Sequence, residues 1–415
     1  MIKLISLGCK VNSYESSALK ELFLINGFKE NEKPDIVIIN TCSVTSVADQ
    51  KSRQIIRRER RANKDAVLVV MGCYSQKNGE YCIKECGADI VVGTSNRPKT
   101  VEFVKEFLQS RKSIIAIEKD PRKFSYESFH TIAIPNSTRA YVKIEDGCNN
   151  FCSYCTIPHT RGVARSRDKN EIIEEITTLV NKGFKEIVLT GIHLAHYGLD
   201  LKNETFSDLV EAIVNIPNLY RLRISSIEES EIDDRLISLL KKYPNIANHL
   251  HMPLQSGSKS VLKRMCRKYN VDDFINKVNR IREVRPDIAI TTDVIVGFPG
   301  ETEEEFNETY EFIKKVNFAE LHVFPFSARE GTKAYDMKDQ VSPEVKAQRV
   351  AKLIKLSEEL QANYKAKFVG EELEAILEER NKQTKKLGGF TSNYLKLEAD
   401  LDDSCIGKIY KIKVR

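Results

Sequence analysis

The chain has 415 residues, 41% of them apolar and 30% charged, and its 65 basic and 59 acidic side chains leave a net charge of +6. That length exceeds one ordinary domain and supplies core enough to fold without disulfide staples, so two or three domains are expected. No apolar run approaches the eighteen or so residues that a membrane span needs, which excludes a bilayer anchor, and so slight a charge excess only mildly favours a polyanionic partner.

The opening "MIKLISLGCKVN" has neither a long apolar core nor a small-residue cleavage site, and a cytoplasmic protein is expected. Ten cysteines in that reducing compartment read as metal ligands, catalytic thiols or buried small residues rather than as disulfide partners. Over the first 110 or so residues, "IKLISLG", "DIVIINT" and "AVLVVMG" are β-rich runs, each followed by a helix-compatible stretch, a parallel α/β pattern. Cys9, Cys42 and Cys73 each sit just after one of these runs. Parallel strands end on one sheet edge, so thiols far apart in sequence can converge there. Cys82 and Cys86, four apart on one helical face, read as packing, and lone Cys266 and Cys405 are expected to be buried. Arg53, Arg57 and Arg61 in "KSRQIIRRERRANK" recur on one helical face just after Cys42, and a basic face beside a cysteine site can steer a polyanion toward it.

Residues 118 to 137 lose periodicity and read as an interdomain linker. Alternation then resumes through "RAYVKIEDG", "KEIVLTG", "YRLRISS", "NHLHMPL", "IAITTDVIVG" and "AELHVFPFS". Six β/α units in succession imply a parallel sheet curled into a partial (β/α)6 barrel. Directly after the first of these strands, "EDGCNNFCSYCTIPHTRG" places Cys148, Cys152 and Cys155 in one loop. Structural zinc wants four protein ligands, whereas three thiolates suit a [4Fe–4S] cube with one iron left open. Further strand ends carry Thr190 and Gly191, Ser225 and Ser226, Gln255, Gly297 and Gly300, where ligands of α/β folds bind; His249 and His251 read as packing or pocket-wall residues. A long helix should begin at the Ser342 cap with Pro343 at its first position, and short alternating strands from about Gly370 suggest a small all-β module.

The cysteine loop, with Tyr154 before its last cysteine, resembles the signature of the radical S-adenosylmethionine (SAM) superfamily. Together with "LGCKVNSYES", "NTCSVT", "GCYSQ", "HMPLQSGS" and "GFPGETEEEF", it resembles the methylthiotransferase family over essentially the whole chain. That resemblance implies an N-terminal methylthiotransferase domain over 1–118, a radical SAM core over 135–365 and a TRAM-like RNA-binding barrel over 368–415. It implies two [4Fe–4S] clusters, an auxiliary one on Cys9, Cys42 and Cys73 and a SAM-binding one on Cys148, Cys152 and Cys155. A SAM pocket at Tyr154, Thr190, Gly191, Ser226, Gln255 and Gly297 goes with it, as do an unidentified reductant and sulfur source. Such an enzyme uses one SAM as methyl donor and a second as the source of a 5′-deoxyadenosyl radical, because an unactivated C–H offers no acidic proton for general base catalysis.

Substrates in this family are transfer RNA or a ribosomal protein. The opening "LGCKVNSYES" resembles the branch acting on N6-threonylcarbamoyladenosine beside the anticodon, at position 37, rather than the Gly-Cys-Gln opening of the isopentenyladenosine branch or the ribosomal-protein branch. Addition of a methylthio group to C2 of that purine is the expected reaction; a radical-SAM sulfur inserter without methyl transfer is the alternative of another class. Lys382, Lys385 and Lys386 beside Phe390 and Tyr394 suit phosphate contact and base stacking. Arg161 and Arg165 are candidates to pair with the threonyl carboxylate.

Overall fold

The computed structural model describes residues 1–31, 33–135 and 137–415. Five parallel strands open the chain: β1 (Ile2–Ser6), β2 (Ile36–Thr41), β3 (Val67–Gly72), β4 (Ile90–Val92) and β5 (Ile114–Ala116), in that order across one sheet. Every residue of β2 and β3 is buried, as expected of a parallel sheet covered on both faces. One core lies under α1 (Lys10–Ile25) and holds Tyr14, Leu19, Ile38 and Val69; the opposite one holds Ile39, Ile56, Val70 and Cys82 under α2 (Ser46–Ala62) and α3 (Cys73–Lys84).

The stretch after β5 is pinned in place and is not a loose linker. It buries Phe124, Phe129 and Ala133, and Glu127 accepts hydrogen bonds from the Arg97 backbone at 2.9 Å and side chain at 2.6 Å. Asn136 within it lies outside the described residues.

Strand β6 (Arg139–Lys143) begins the second sheet system, and the two-residue pair β7 (Glu145–Asp146) and β8 (Arg165–Ser166) brackets the cysteine loop. β6 pairs in parallel with β9 (Glu186–Thr190), and β9 with β10 (Arg221–Ile224). β11 (His249–His251), β12 (Ala289–Val296) and β13 (Glu320–Pro325) form a second parallel group. Parallel bridges Leu222–Ile246 and Ser226–His251 join the groups, which gives the six-strand succession expected of the partial barrel. Alternation along each strand sends Val142, Leu189, Leu222, Leu250, Ile290 and Leu321 outward into the helix-covered core. The intervening positions, among them Arg139, Glu186, Arg223, His249, Asp293 and His322, turn to the lumen. The Pro343–Ala366 helix is capped by the Ser342 hydroxyl, which accepts from the Val345 N–H at 3.3 Å.

The N-terminal sheet spans the open side of this barrel. Helix α1 packs on β6, while Arg329, beyond β13, bonds Ser43 and Asp49, the latter at 2.6 Å. The gap between the first and last strands is thereby closed by the sheet that carries the first three cysteines.

The chain ends in an antiparallel sheet of β14 (Glu372–Arg380), β15 (Leu387–Thr391), β16 (Lys396–Ala399) and β17 (Ile409–Lys413), ordered β16-β15-β14-β17. It docks on the amino-terminal ends of the barrel strands. Arg223 donates to the Thr391 and Ser392 carbonyls at 3.1 and 3.2 Å, and Arg139 pairs with Glu378 at 2.7 Å. Tyr394 stacks on His249 at 4.5 Å and on Phe390 at 4.7 Å, with the Arg223 guanidinium 4.9 Å from its ring centre and Arg139 4.9 Å from that of Phe390. Those ring faces are occupied by the barrel, so the sequence-based assignment of Phe390 and Tyr394 to base stacking is corrected. Tyr394→Ala should weaken this junction by about 1–2 kcal/mol, the worth of one stack and one cation–π contact. Limited proteolysis should then cut faster between Phe368 and Glu372; an unchanged cleavage rate would show that the junction does not depend on the ring.

Candidate active site

The first thiol group is built by strand ends in register. Cys42 and Cys73 follow β2 and β3 directly, while Cys9 lies past β1 as the N-cap of α1. Gly8 has φ +95° and a Cβ there would fall 2.7 Å from Cys42 Sγ, so only glycine lets the first loop approach the second this closely. Gly72, at φ +103° with the Thr41 carbonyl 2.5 Å from where its Cβ would be, does the same for the third. Asn12 ties the loops together: its amide donates to the Leu7 and Thr41 carbonyls at 2.7 and 3.0 Å. Cys9 is exposed whereas Cys42 and Cys73 are buried, and the three thiols lie within electrostatic reach of one another. Burial pushes the Cys73 thiol up to about 11 even though Arg161 pulls it down.

The second group occupies the loop at the carboxyl end of β6. The Asn150 N–H donates to Cys148 Sγ at 3.4 Å, and Arg267 donates to Cys152 Sγ at 3.3 Å while pairing with Glu228 at 2.7 Å. Ser153 anchors the loop through the Met265 carbonyl at 3.0 Å and the Arg264 carbonyl at 2.8 Å. Tyr154 packs edge-on against Phe298 at 6.3 Å. Burial pushes Cys155 up to about 12 and Cys148 higher still. Each group therefore offers three thiols, with cationic N–H donors aimed at sulfur, and a metal that binds thiolates would relieve the burial that disfavours their charge. That donor chemistry fits an iron–sulfur cluster held by three cysteines.

Between the groups lies a buried ion network that sequence reading missed. Arg161, fully buried, donates from Nε to Cys73 Sγ at 3.2 Å, from Nη1 to Glu15 and Asp146 at 2.9 and 3.1 Å, and from Nη2 to Asn12 at 2.8 Å. Lys143 joins Glu15 at 3.0 Å and Asp146 at 2.6 Å, and Arg97 pairs with Glu15 and with Glu127. Burial favours the protonated Glu15 carboxyl, but Arg161, Arg97 and Lys143 outweigh it and hold the group well below the usual carboxylate range. With its guanidinium so committed, Arg161 is not free to take a substrate carboxylate. Arg161 is therefore withdrawn as a candidate, whereas Arg165 gives Nη1 to the Arg161 and Val163 carbonyls, both at 2.7 Å, and keeps a buried Nε with no acceptor among the described residues. "EDG" before Cys148 and "YES" after Asn12 were visible in the sequence, but nothing local shows that they meet.

His193 and His196, from "TGIHLAHYG", form another unforeseen cluster near Cys148. Their rings stack at 3.8 Å, and Glu231 lies 3.0 Å from His193 Nδ1 and 3.1 Å from His196 Nε2. Burial opposes a charge on His193, but Glu228 and Glu231 outweigh it and raise the imidazole to about 9.

The residues expected to hold SAM are distributed as follows. Thr190 ends β9, and Gly191 follows it where a Cβ would fall 2.1 Å from Glu145 Oε1. Ser226 bridges to His251, and Gln255, at φ +63°, bridges to Val294. All of these lie at carboxyl ends of the barrel strands. Gly297 does too, but the space where its side chain would be is filled by Lys346, 2.3 Å away, so the glycine accommodates the C-terminal helix. Burial pushes Glu145 up to about 8, and among the described residues its Oε2, like Asn150 Oδ1, is a buried acceptor without a donor. Two orphaned acceptors beside the cysteine loop fit a ligand that brings N–H groups, as the SAM ammonium would.

Arg53, Arg57 and Arg61 line a surface cavity of about 740 Å3 on α2 together with Arg60. Arg57 bonds the Tyr81 hydroxyl at 2.8 Å, and Arg60 is held by Asp89 and the Gly87 carbonyl. Lys382, Lys385 and Lys386 are exposed on the turn between β14 and β15. Cys82, Cys86 and Cys405 are buried, but Cys266 is exposed. It adopts φ +58° in the turn that ends the Lys259–Arg264 helix, which sends its side chain outward, against the sequence expectation.

A partial parallel barrel with a three-cysteine loop at its carboxyl end defines a radical SAM protein. Consistent with this, residues 142–313 match the radical SAM superfamily, and residues 1–93 match the uncharacterized protein family UPF0004. Across 99% of the chain and 92% of its own length, threonylcarbamoyladenosine tRNA methylthiotransferase MtaB of Bacillus subtilis is 46% identical. The MtaB of Aquifex aeolicus is 35% identical over 99% of the chain and 98% of its own length, and tRNA-2-methylthio-N(6)-dimethylallyladenosine synthase of Clostridium tetani is 36% identical over 98% and 92%. A solved radical S-adenosylmethionine methyltransferase, TsrM from Kitasatospora setae with cobalamin and a [4Fe–4S] cluster bound, shares the fold with a TM-score of 0.61 at 16% identity, covering 80% of this chain and 76% of that one. This chain belongs to the radical SAM family of tRNA methylthiotransferases, whose cofactors are [4Fe–4S] clusters and SAM. Among the described residues no helix is long and apolar enough to cross a membrane.

Proposed function

We propose that the chain adds a methylthio group to C2 of N6-threonylcarbamoyladenosine at position 37 of tRNA, in the cytoplasm. The observation that carries this reading is the pair of three-thiol groups, with Arg161 bonding both Cys73 and Asp146, two residues before Cys148, beside full-length similarity to enzymes named for that substrate. Cys148, Cys152 and Cys155 would hold one [4Fe–4S] cluster with SAM, and Cys9, Cys42 and Cys73 a second. When bound, these groups supply radical hydrogen abstraction and transfer of a methylated sulfur. The protein does the rest. Arg267 and the Asn150 N–H stabilise thiolate charge in the signature loop, Arg161 does so at Cys73, and Glu145 with Asn150 offers acceptors to the SAM ammonium. The N-terminal sheet covers the open side of the barrel through α1 on β6 and Arg329 on Ser43 and Asp49.

The three sheet systems support a division into 1–118, 135–365 and 368–415, the last a TRAM-like RNA-binding module. Arg53, Arg57, Arg61, Lys385 and Lys386 would then contact tRNA phosphates. A reductant and a sulfur source, both of unspecified identity, are required. Product analysis tests the reaction: methylthio transfer forms S-adenosylhomocysteine and 5′-deoxyadenosine together, whereas sulfur insertion without methyl transfer forms only the second.

A further inference from the structure

The inner wall of the barrel is lined with charge that the cluster sites do not use. Nearly all of it is matched. Arg221 and Arg223 pair with Glu186 at 3.1 and 2.7 Å, Arg139 with Glu378, and Asp293 lies 3.3 Å from His251 Nε2. Lys10 differs. It directly follows Cys9, its ammonium feels Arg139, Arg223, Glu186 and Asp293, and among the described residues no carboxylate lies within ion-pair distance of it. Lys10, Arg139, Arg221 and Arg223 face three carboxylates, Glu186, Glu378 and Asp293, so one cation is in excess and an added anion would meet net attraction at this point of the lumen. On the same inner wall the His322 ring, 5.5 Å from that of His251, has no hydrogen-bond partner among the described residues and offers a further donor.

We propose that Lys10 is a specificity-determining residue that pairs with the carboxylate of the substituent on the target adenine. This rests on the threonylcarbamoyladenosine reading and deepens it. The amino-acid arm of such a base ends in a carboxylate, whereas a neutral arm would leave the ammonium desolvated and unpaired, a costly state for a charged donor. Placing the cation one residue after Cys9 sets the recognised group beside the first thiol site, so only a base with its arm seated there presents its purine edge to the reacting sulfur.

The test uses the reconstituted full-length protein and two fluorescent anticodon stem-loop RNAs, one with threonylcarbamoyladenosine and one with its carboxylate converted to the primary amide. Kd is read by anisotropy, turnover by mass spectrometry and cluster loading by iron content. The native protein should bind the acid about 10- to 100-fold more tightly than the amide, the span of one charge-assisted bond. Lys10→Met should remove that preference by weakening the acid alone, and Lys10→Arg should keep most of it. Equal native affinity for the two RNAs, or an equal loss of both in Lys10→Met, overturns the inference. Should Lys10→Met fail to hold iron, the acid-to-amide ratio of the native and Lys10→Arg proteins decides. If the native protein modifies neither RNA, the substrate reading itself falls; if it modifies both equally well, only the role of Lys10 does.

Discussion

Replacing Arg161 with methionine is expected to cost about 3–5 kcal/mol of stability, the usual penalty for removing one partner of a buried ion network. Methionine approximates the aliphatic stem, so the loss is of charge rather than of volume. Glu15, with no exposed surface, would depend on Arg97 and Lys143, and Asp146 on those two and Arg165. The pH profile gives a second signature. In the native chain the Glu15 carboxyl titrates below its ordinary value of 4.5, so its contribution is present above that pH and is lost as pH falls through the folded value. Removing Arg161 weakens that depression, and the acid-unfolding limb should move to higher pH. Denaturant unfolding between pH 3 and 7 checks both. A variant within about 0.5 kcal/mol of the native protein, the ordinary surface effect, would mean that Arg161 does not hold the network together.

Substitutions in the two thiol groups should separate by chemistry. Cys9→Ala and Cys148→Ala should each lower iron from about eight to about four per chain, as expected if each trio holds one four-iron cluster. Their effects on SAM then diverge. Cys148→Ala should abolish cleavage of SAM to 5′-deoxyadenosine, because the ligand loop of the SAM-binding cluster is broken, while Cys9→Ala should retain cleavage yet form no methylthio product. Iron analysis and quantitation of both nucleosides provide the readout. Loss of SAM cleavage in Cys9→Ala with retention in Cys148→Ala would reverse the assignment of the two groups.

The cysteines were legible because of local features: three apolar runs that could only be strands, each ending at a thiol, and one loop whose thiols have three and two residues between them. The six barrel strands were legible for the same reason. The last two strands of the N-terminal sheet were not. Ile90–Val92 and Ile114–Ala116 carry three residues each, too few for a periodic signal, and they show as strands only because β3 pairs with β4 and β4 with β5.

What sequence could not display was the use of charge across elements. Arg161 looked available because it lies near the cysteine loop, but its partners Glu15 and Asn12 are 146 and 149 residues away in the chain. Phe390 and Tyr394 looked like a base platform because lysines stand nearby, whereas the exposed lysines point to the turn and the rings face Arg139, Arg223 and His249. In both cases residue type was read correctly as chemistry and the partner was misjudged, since partners are set by tertiary contact. Lys10 is the reverse case, unremarked beside a more conspicuous cysteine and informative only once the lumen around it is built.

The most direct test of the central claim is nucleoside mass spectrometry of total tRNA from a strain that lacks this protein, with and without the native chain restored. The account predicts that the methylthiolated threonylcarbamoyl nucleoside disappears, that its unthiolated precursor accumulates, and that restoration reverses both. A nucleoside profile unchanged by loss of the protein would contradict it.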